Sequence, residues 1–146
     1  GLRLQCRVKF ETSWDSEPSM SKGYAFCTME IDFRASKDQG LVTYAFVAYK
    51  SHPFANSMFA GTPKDLERIL STQRNLGYSR VSEGVWHDFD IDLTSLLREN
   101  FTSVSPQDVH NVKVTFAIQN WPQEMLEDCN GKTTIDYIRL VRGSER

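Results

Sequence analysis

The chain opens on strict alternation. Leu2, Leu4, Cys6, Val8 and Phe10 share one phase, and Arg3, Gln5, Arg7 and Lys9 share the other, which is the period-two signature of a strand with one buried face. After the Ser-, Pro- and Gly-containing loop "TSWDSEPSMSKG" the alternation returns in "AFCTMEIDFRA". There Cys27, Met29, Ile31 and Phe33 are placed inside, and Thr28, Glu30, Asp32 and Arg34 outside. "SKDQG" is short enough to turn the chain back, so "LVTYAFVAYK" is expected to pair antiparallel with the strand before it. Apolar residues on both of its phases predict a central strand covered on both sides.

The second half continues the pattern with two interruptions. "TPKDLERILSTQ" carries a Thr cap, Pro at the first position and Leu66, Ile69 and Leu70 at helical spacing, predicting a short helix beside the irregular loop "SHPFANSMFAG". A short strand over 77–82 leads through "EG" into 85–93. In that segment Val85, His87, Phe89, Ile91 and Leu93 are expected to face the core and Trp86, Asp88, Asp90 and Asp92 to face away. "TSLLRENF" then reads as a brief helix capped by its Thr. "VKVTFAIQ" and "TTIDYIRLV" supply the last strands. Six or seven strands, long polar loops and two brief helices predict an all-β fold of two packed antiparallel sheets, a β-sandwich of jelly-roll type with one or two short helices at the edges. The whole of residues 1–146 reads as one domain, without repeat or linker, and without the long crossover helices of a parallel α/β fold.

Composition narrows the partners. A net charge of -2 and the absence of a Lys/Arg cluster argue against nucleic acid. No apolar run approaches the roughly 20 residues of a membrane span. The three cysteines, Cys6, Cys27 and Cys129, lack zinc-knuckle spacing; Cys6 and Cys27 fall on apolar phases as small buried hydrophobes, with a bridge between them open if their strands pair.

Catalytic chemistry finds little footing. His52, His87 and His110 are scattered, His87 belongs to an apolar phase, and no nucleophile-turn signature accompanies them. Carboxylate pairs could be drawn from Glu30, Asp32, Asp88, Asp90 and Asp92, because alternate residues on a strand recur about 7 Å apart, but that spacing is generic. Sugar binding asks for flat aromatic faces bordered by groups that hydrogen-bond hydroxyls. Tyr44, Tyr49, Trp86 with Asp88, and Trp121 in the loop "QNWPQEM" are the candidate ligand-binding residues on that chemistry. Asp136, between Ile135 and Tyr137 in the last strand, is a charge that needs a reason, and a structural calcium is one.

Two segments, "GVWHDFDIDLTSLL" and "TTIDYIRLV", resemble the galactose-binding-domain-like jelly rolls, a group that includes many noncatalytic carbohydrate-binding modules attached to bacterial polysaccharide-degrading enzymes. The resemblance implies a module that binds a poly- or oligosaccharide, with an extracellular or cell-envelope location and a place in a larger multidomain protein. It also implies a structural calcium held by the closing-strand aspartate, here Asp136. The early strand segment "LQCRVKF" supplies no partner carboxylate. The competing expectations are a sandwich-fold polysaccharide lyase or hydrolase, which needs an acid and a base in one cleft, and a protein-interaction module, which needs a flat apolar patch.

Overall fold

A computed structural model describes residues 1–14, 24–38, 40–51, 76–121 and 129–143; side chains at the strand ends 13–14, 24–26, 49–51, 76, 119–121 and 129 are outside that description. The helix expected over "TPKDLERILSTQ" lies outside the described residues. Seven strands are described: β1 (Leu2–Trp14), β2 (Tyr24–Arg34), β3 (Leu41–Ser51), β4 (Leu76–Val81), β5 (Trp86–Asp92), β6 (Asn111–Trp121) and β7 (Cys129–Arg142). A helix, α1 (Leu93–Asn100), and a single 3-10 turn (Pro106–Asp108) separate β5 from β6.

The strands form two sheets, β5-β1-β7 and β4-β3-β2-β6, giving the all-β sandwich that the alternation predicts. Between them lie the inward phases of β1, β2 and β3. Leu4, Cys6, Val8 and Phe10 of β1, and Cys27, Met29, Ile31 and Phe33 of β2, are fully buried. One part of this core, around Phe33, Val42 and Tyr44, is closed by Leu93 and Leu97 of α1; the other gathers Cys6, Val8, Phe10, Cys27, Met29 and Ala48. Cys6 and Cys27 belong to different sheets and are free thiols. Burial raises both, Cys6 to about 11, so neither is a reactive thiolate at neutral pH.

The β2–β3 hairpin turns through Gly40, whose φ of 73° is readily open to glycine; across it the Ala35 amide donates to the Gly40 carbonyl at 3.0 Å and the Gly40 amide to the Ser36 carbonyl at 3.1 Å. β3 is buried on both phases as expected: Val42, Tyr44 and Ala48 inward, Ala45 and Val47 outward. Its β2 neighbour departs from expectation at Thr28, which faces outward but is only 2% exposed, opposite Val47.

Three local expectations are corrected. β3 and β4 run parallel, so the larger sheet is mixed and not purely antiparallel. Apolar patterning reports burial on each strand but not the direction in which a neighbour runs. The cap of α1 is Asp92, whose carboxylate accepts from the Ser95 amide at 3.0 Å, so Thr94 lies inside the helix. Val85 is 49% exposed, because β5 begins one residue later and Val85 follows the turn at Gly84, φ 74°.

Candidate functional site

β1 is the centre of the three-stranded sheet, and its outward phase is Arg3, Gln5, Arg7 and Lys9. Antiparallel register sets Lys9 opposite Trp86, Arg7 opposite Asp88, Gln5 opposite Asp90 and Arg3 opposite Asp92. The acidic stripe of β5 therefore meets a basic stripe on its neighbour. Arg3 Nε donates to Asp90 Oδ1 at 2.8 Å, Arg3 Nη1 lies 3.7 Å from Asp92 Oδ2, and Arg7 Nε lies 3.3 Å from Asp88 Oδ1. The hydrogen bond from Arg3 holds the Asp90 carboxyl below the usual range, and the Ser95 amide does the same for Asp92. These pairs are exposed and water screens them, so they orient the side chains more than they stabilise the fold.

The other neighbour, β7, contains a bulge. Register shifts between Arg7 and Val8, so Cys6 faces Ile138 and Arg7 faces Tyr137, while Val8 faces Ile135; Asp136 is the extra residue. The sequence carries the trace of this break: Ile135 and Ile138 are three apart, a spacing that plain alternation cannot place on one face. The bulge brings Asp136 and Tyr137 to the level of Arg7, with Asp136 Oδ2 3.5 Å from Arg7 Nη1. Arg139 donates to Gln5 Oε1 at 2.9 Å and lies 5.3 Å from the Tyr137 ring centre.

Arg7 is thus the hub of this face. Its guanidinium carbon lies 4.6 Å from the Trp86 ring centre, its nitrogens reach Asp88 and Asp136, and Tyr137 is its register partner. Lys9 lies 5.3 Å from the same Trp86 ring. Trp86 and Tyr137 remain 37% and 39% exposed. Separated by two strands and two residues of register, their backbones stand about 10–12 Å apart. The arrangement offers two aromatic surfaces, a fixed fork of donors and two carboxylate acceptors on one open sheet face.

Of the residues singled out by sequence, the structure joins Trp86, Asp88 and Asp136 through Arg7. Tyr44 is corrected: it is 8% exposed, packs edge-on to Phe46 at 5.3 Å, and its hydroxyl bonds that of Ser79, so it is a core residue of the opposite sheet. Its apolar neighbours on both phases left the inward choice open, and β4 decided it by supplying Ser79 as a partner. Tyr49 stands on β3 opposite Phe26, and Trp121 closes β6 opposite Tyr24, so Trp121 belongs to a strand end and not to a loop; the side chains of both lie outside the described residues. Arg7 and Tyr137 were missed. The phase break around Asp136 was the signal for Tyr137, and the basic phase of β1 was the signal for Arg7.

The remaining carboxylates sit elsewhere. Glu30 and Asp32 occupy the outer face of the four-stranded sheet, where Thr43 donates to Asp32 Oδ1 at 2.6 Å. Partial burial, and secondarily Asp32, raises the Glu30 carboxyl. They stand on the opposite exterior from Asp88, Asp90 and Asp92, so the two carboxylate sets do not converge. His87 packs between Phe10 and Phe89, with Nε2 2.5 Å from the Ser82 carbonyl oxygen.

Asp136 does not fit the calcium role. Its carboxylate faces the Arg7 cation and is 55% exposed, whereas calcium takes six to eight oxygen ligands. Among the described residues no three His, Cys, Asp or Glu side chains gather into a metal-holding group. No helix among them is long and apolar enough to cross a membrane. The chain matches no protein-family model, no curated protein and no solved structure.

Proposed function

We propose that the protein is a noncatalytic carbohydrate-binding module that takes a poly- or oligosaccharide on the outer face of the β5-β1-β7 sheet. The observation that carries this reading is the Arg7 hub, which holds Asp88 and Asp136 between two exposed aromatics, Trp86 and Tyr137. A pyranose has an apolar face for an aromatic ring and a rim of hydroxyls for charged donors and acceptors. Strands fix the backbone beneath all five side chains, so binding costs little ordering. The five basic residues on the face, Arg3, Arg7, Lys9, Lys132 and Arg139, are matched by five carboxylates, Glu11, Asp88, Asp90, Asp92 and Asp136, which favours a neutral glycan over a polyanion. An extracellular or cell-envelope setting and attachment to a larger protein belong to the same proposal.

A lyase or hydrolase draws less support, because the face is open and its carboxylates are already neutralised by arginine. A protein-binding role at this face would call for an apolar patch, and these rows are charged. The test is a neutral-glycan array and affinity electrophoresis with wild type, Trp86→Ala and Tyr137→Ala. Retardation by a glycan that both substitutions abolish supports the reading; no retardation by any glycan overturns it.

A further inference from the structure

We propose that the α1 end of the sandwich holds a binding site for a small amphiphile, a monocarboxylate with an unbranched apolar tail, separate from the sheet face of the glycan reading above. Where α1 and the 3-10 turn close this end of the core they do not fill it. A cavity of about 240 Å³ remains, walled by Phe33, Leu93, Leu97, Pro106, Val109 and Val112, with Leu2 and Thr94 completing the lining. Its apolar character follows from the strand and helix phases: Phe33 of β2 and Val112 of β6 are register partners, and Leu93 and Leu97 are the buried residues of α1. An apolar cavity of about 150 Å³ already admits benzene. This one is large enough for an alkyl tail, and Thr94 alone among its lining side chains carries a polar atom.

A second hollow of about 600 Å³ adjoins the first. Leu2 lines both, the second together with Gly1, Arg142 and Gly143, and Thr94 Oγ1 stands 3.7 Å from the point where a side chain on Gly1 would begin. Register explains the cation. β7 shares its inward phase with β1 as Cys6–Ile138, Leu4–Leu140 and Leu2–Arg142, so an apolar row ends on an arginine beside the cavity. Arg3, Arg7 and Lys9 of the same sheet each meet a carboxylate, whereas Arg142 is exposed and makes no ion pair among the described residues. Asp92, whose carboxylate also approaches Gly1, is engaged by Arg3 and by the Ser95 amide. An apolar chamber beside a free guanidinium asks for a ligand with a tail and an anionic head. The planar fork of Arg142 matches the two oxygens of a carboxylate, and the Thr94 hydroxyl supplies a further donor. The head stays in the wet outer hollow, so only the tail is desolvated. An apolar side chain of a protein partner would fill the chamber and leave the arginine unused.

The test is titration of the full chain with butyrate, hexanoate, octanoate, 1-octanol and a short peptide ending in leucine, followed by calorimetry and heteronuclear amide NMR. Octanoate is expected to shift the amides of Leu93, Leu97 and Val112 and to leave those of Trp86 and Asp88 in place. Affinity is expected to rise roughly fourfold with each methylene that the chamber buries. Arg142→Gln is expected to weaken octanoate about tenfold, the loss of one charged hydrogen bond, and to leave 1-octanol unchanged. Val112→Phe, which fills the chamber, is expected to abolish binding of both. Circular-dichroism melts verify that the variants fold; should Val112→Phe fail, Arg142→Gln, at an exposed strand end, still decides the question. Octanoate that shifts no amide around the cavity overturns the proposal. So does an affinity indifferent to chain length, octanoate binding unchanged by Arg142→Gln, or a leucine-ended peptide that occupies the cavity and is not displaced by octanoate.

Discussion

The Arg7 guanidinium lies 4.6 Å from the centre of the Trp86 ring, on the neighbouring strand. Because the same guanidinium also reaches Asp88 and Asp136, one side chain sets the position of an aromatic and two carboxylates. Arg7→Met is expected to change unfolding free energy by no more than about 1 kcal/mol, since these contacts are exposed. Glycan affinity is expected to fall about tenfold, the effect of losing roughly one charged hydrogen bond. Arg7→Lys is expected to restore little, because an ammonium cannot reproduce the planar fork. Urea melts and titration calorimetry on the same samples separate the two effects.

Gly77 is held small by Tyr44. A Cβ at Gly77 would stand 2.7 Å from Tyr44 Cδ2 and 3.1 Å from Cε2. Gly77→Ala is expected to destabilise by about 1–3 kcal/mol through overpacking. Tyr44→Phe leaves the colliding ring carbons in place and is not expected to rescue it; alone it costs about 1 kcal/mol by leaving Ser79 without its partner. Tyr44→Leu, which removes those ring carbons, is expected to couple favourably with Gly77→Ala in a double-mutant cycle read by urea melts.

Asp92→Ala removes the cap of α1 and is expected to cost about 1 kcal/mol at neutral pH, with Asp92→Asn retaining most of the stability. The Ser95 amide holds this carboxyl below the ordinary aspartate value. Its contribution is therefore present above the unfolded aspartate pKa and lost as pH falls through the lowered folded value. The difference between wild type and Asp92→Ala in thermal melts should shrink in acid.

Glu30 carries the opposite sign. Partial burial, and then Asp32, raises its carboxyl, so the folded protein favours the protonated form. Glu30→Gln is expected to stabilise modestly at neutral pH. That advantage is absent in acid, grows as pH rises through the ordinary glutamate range, and levels off above the raised folded value. A pH series of urea midpoints for the two proteins tests it, and an advantage largest in acid would count against the assignment.

Much of the sandwich was legible because β1 and β2 alternate without interruption, leaving one choice of buried face. Cys6, Val8, Met29 and Ile31 all fell where their phase placed them. What alternation could not supply was the neighbour. The outward phases of β1 and β5 looked like two unrelated polar stripes until register set Arg3 against Asp92 and Arg7 against Asp88. Tyr44 illustrates the same gap from the other side: on a strand apolar on both phases, the direction of one ring depends on a hydroxyl 35 residues away. Asp136 was visible as an anomaly, and its consequence for Tyr137 needed the register of β7.

Without Asp136, the run from Thr133 to Leu140 would alternate cleanly, Thr133, Ile135, Ile138 and Leu140 inward with Tyr137 and Arg139 outward. A strand one residue shorter would satisfy the pleat better than the natural one does. The candidate recognition face is therefore separable from the framework that carries it. Excising a single residue should leave a more regular sheet whose Arg7 has lost one of its two acidic partners, the mark of a local irregularity kept for what it presents and not for what it supports.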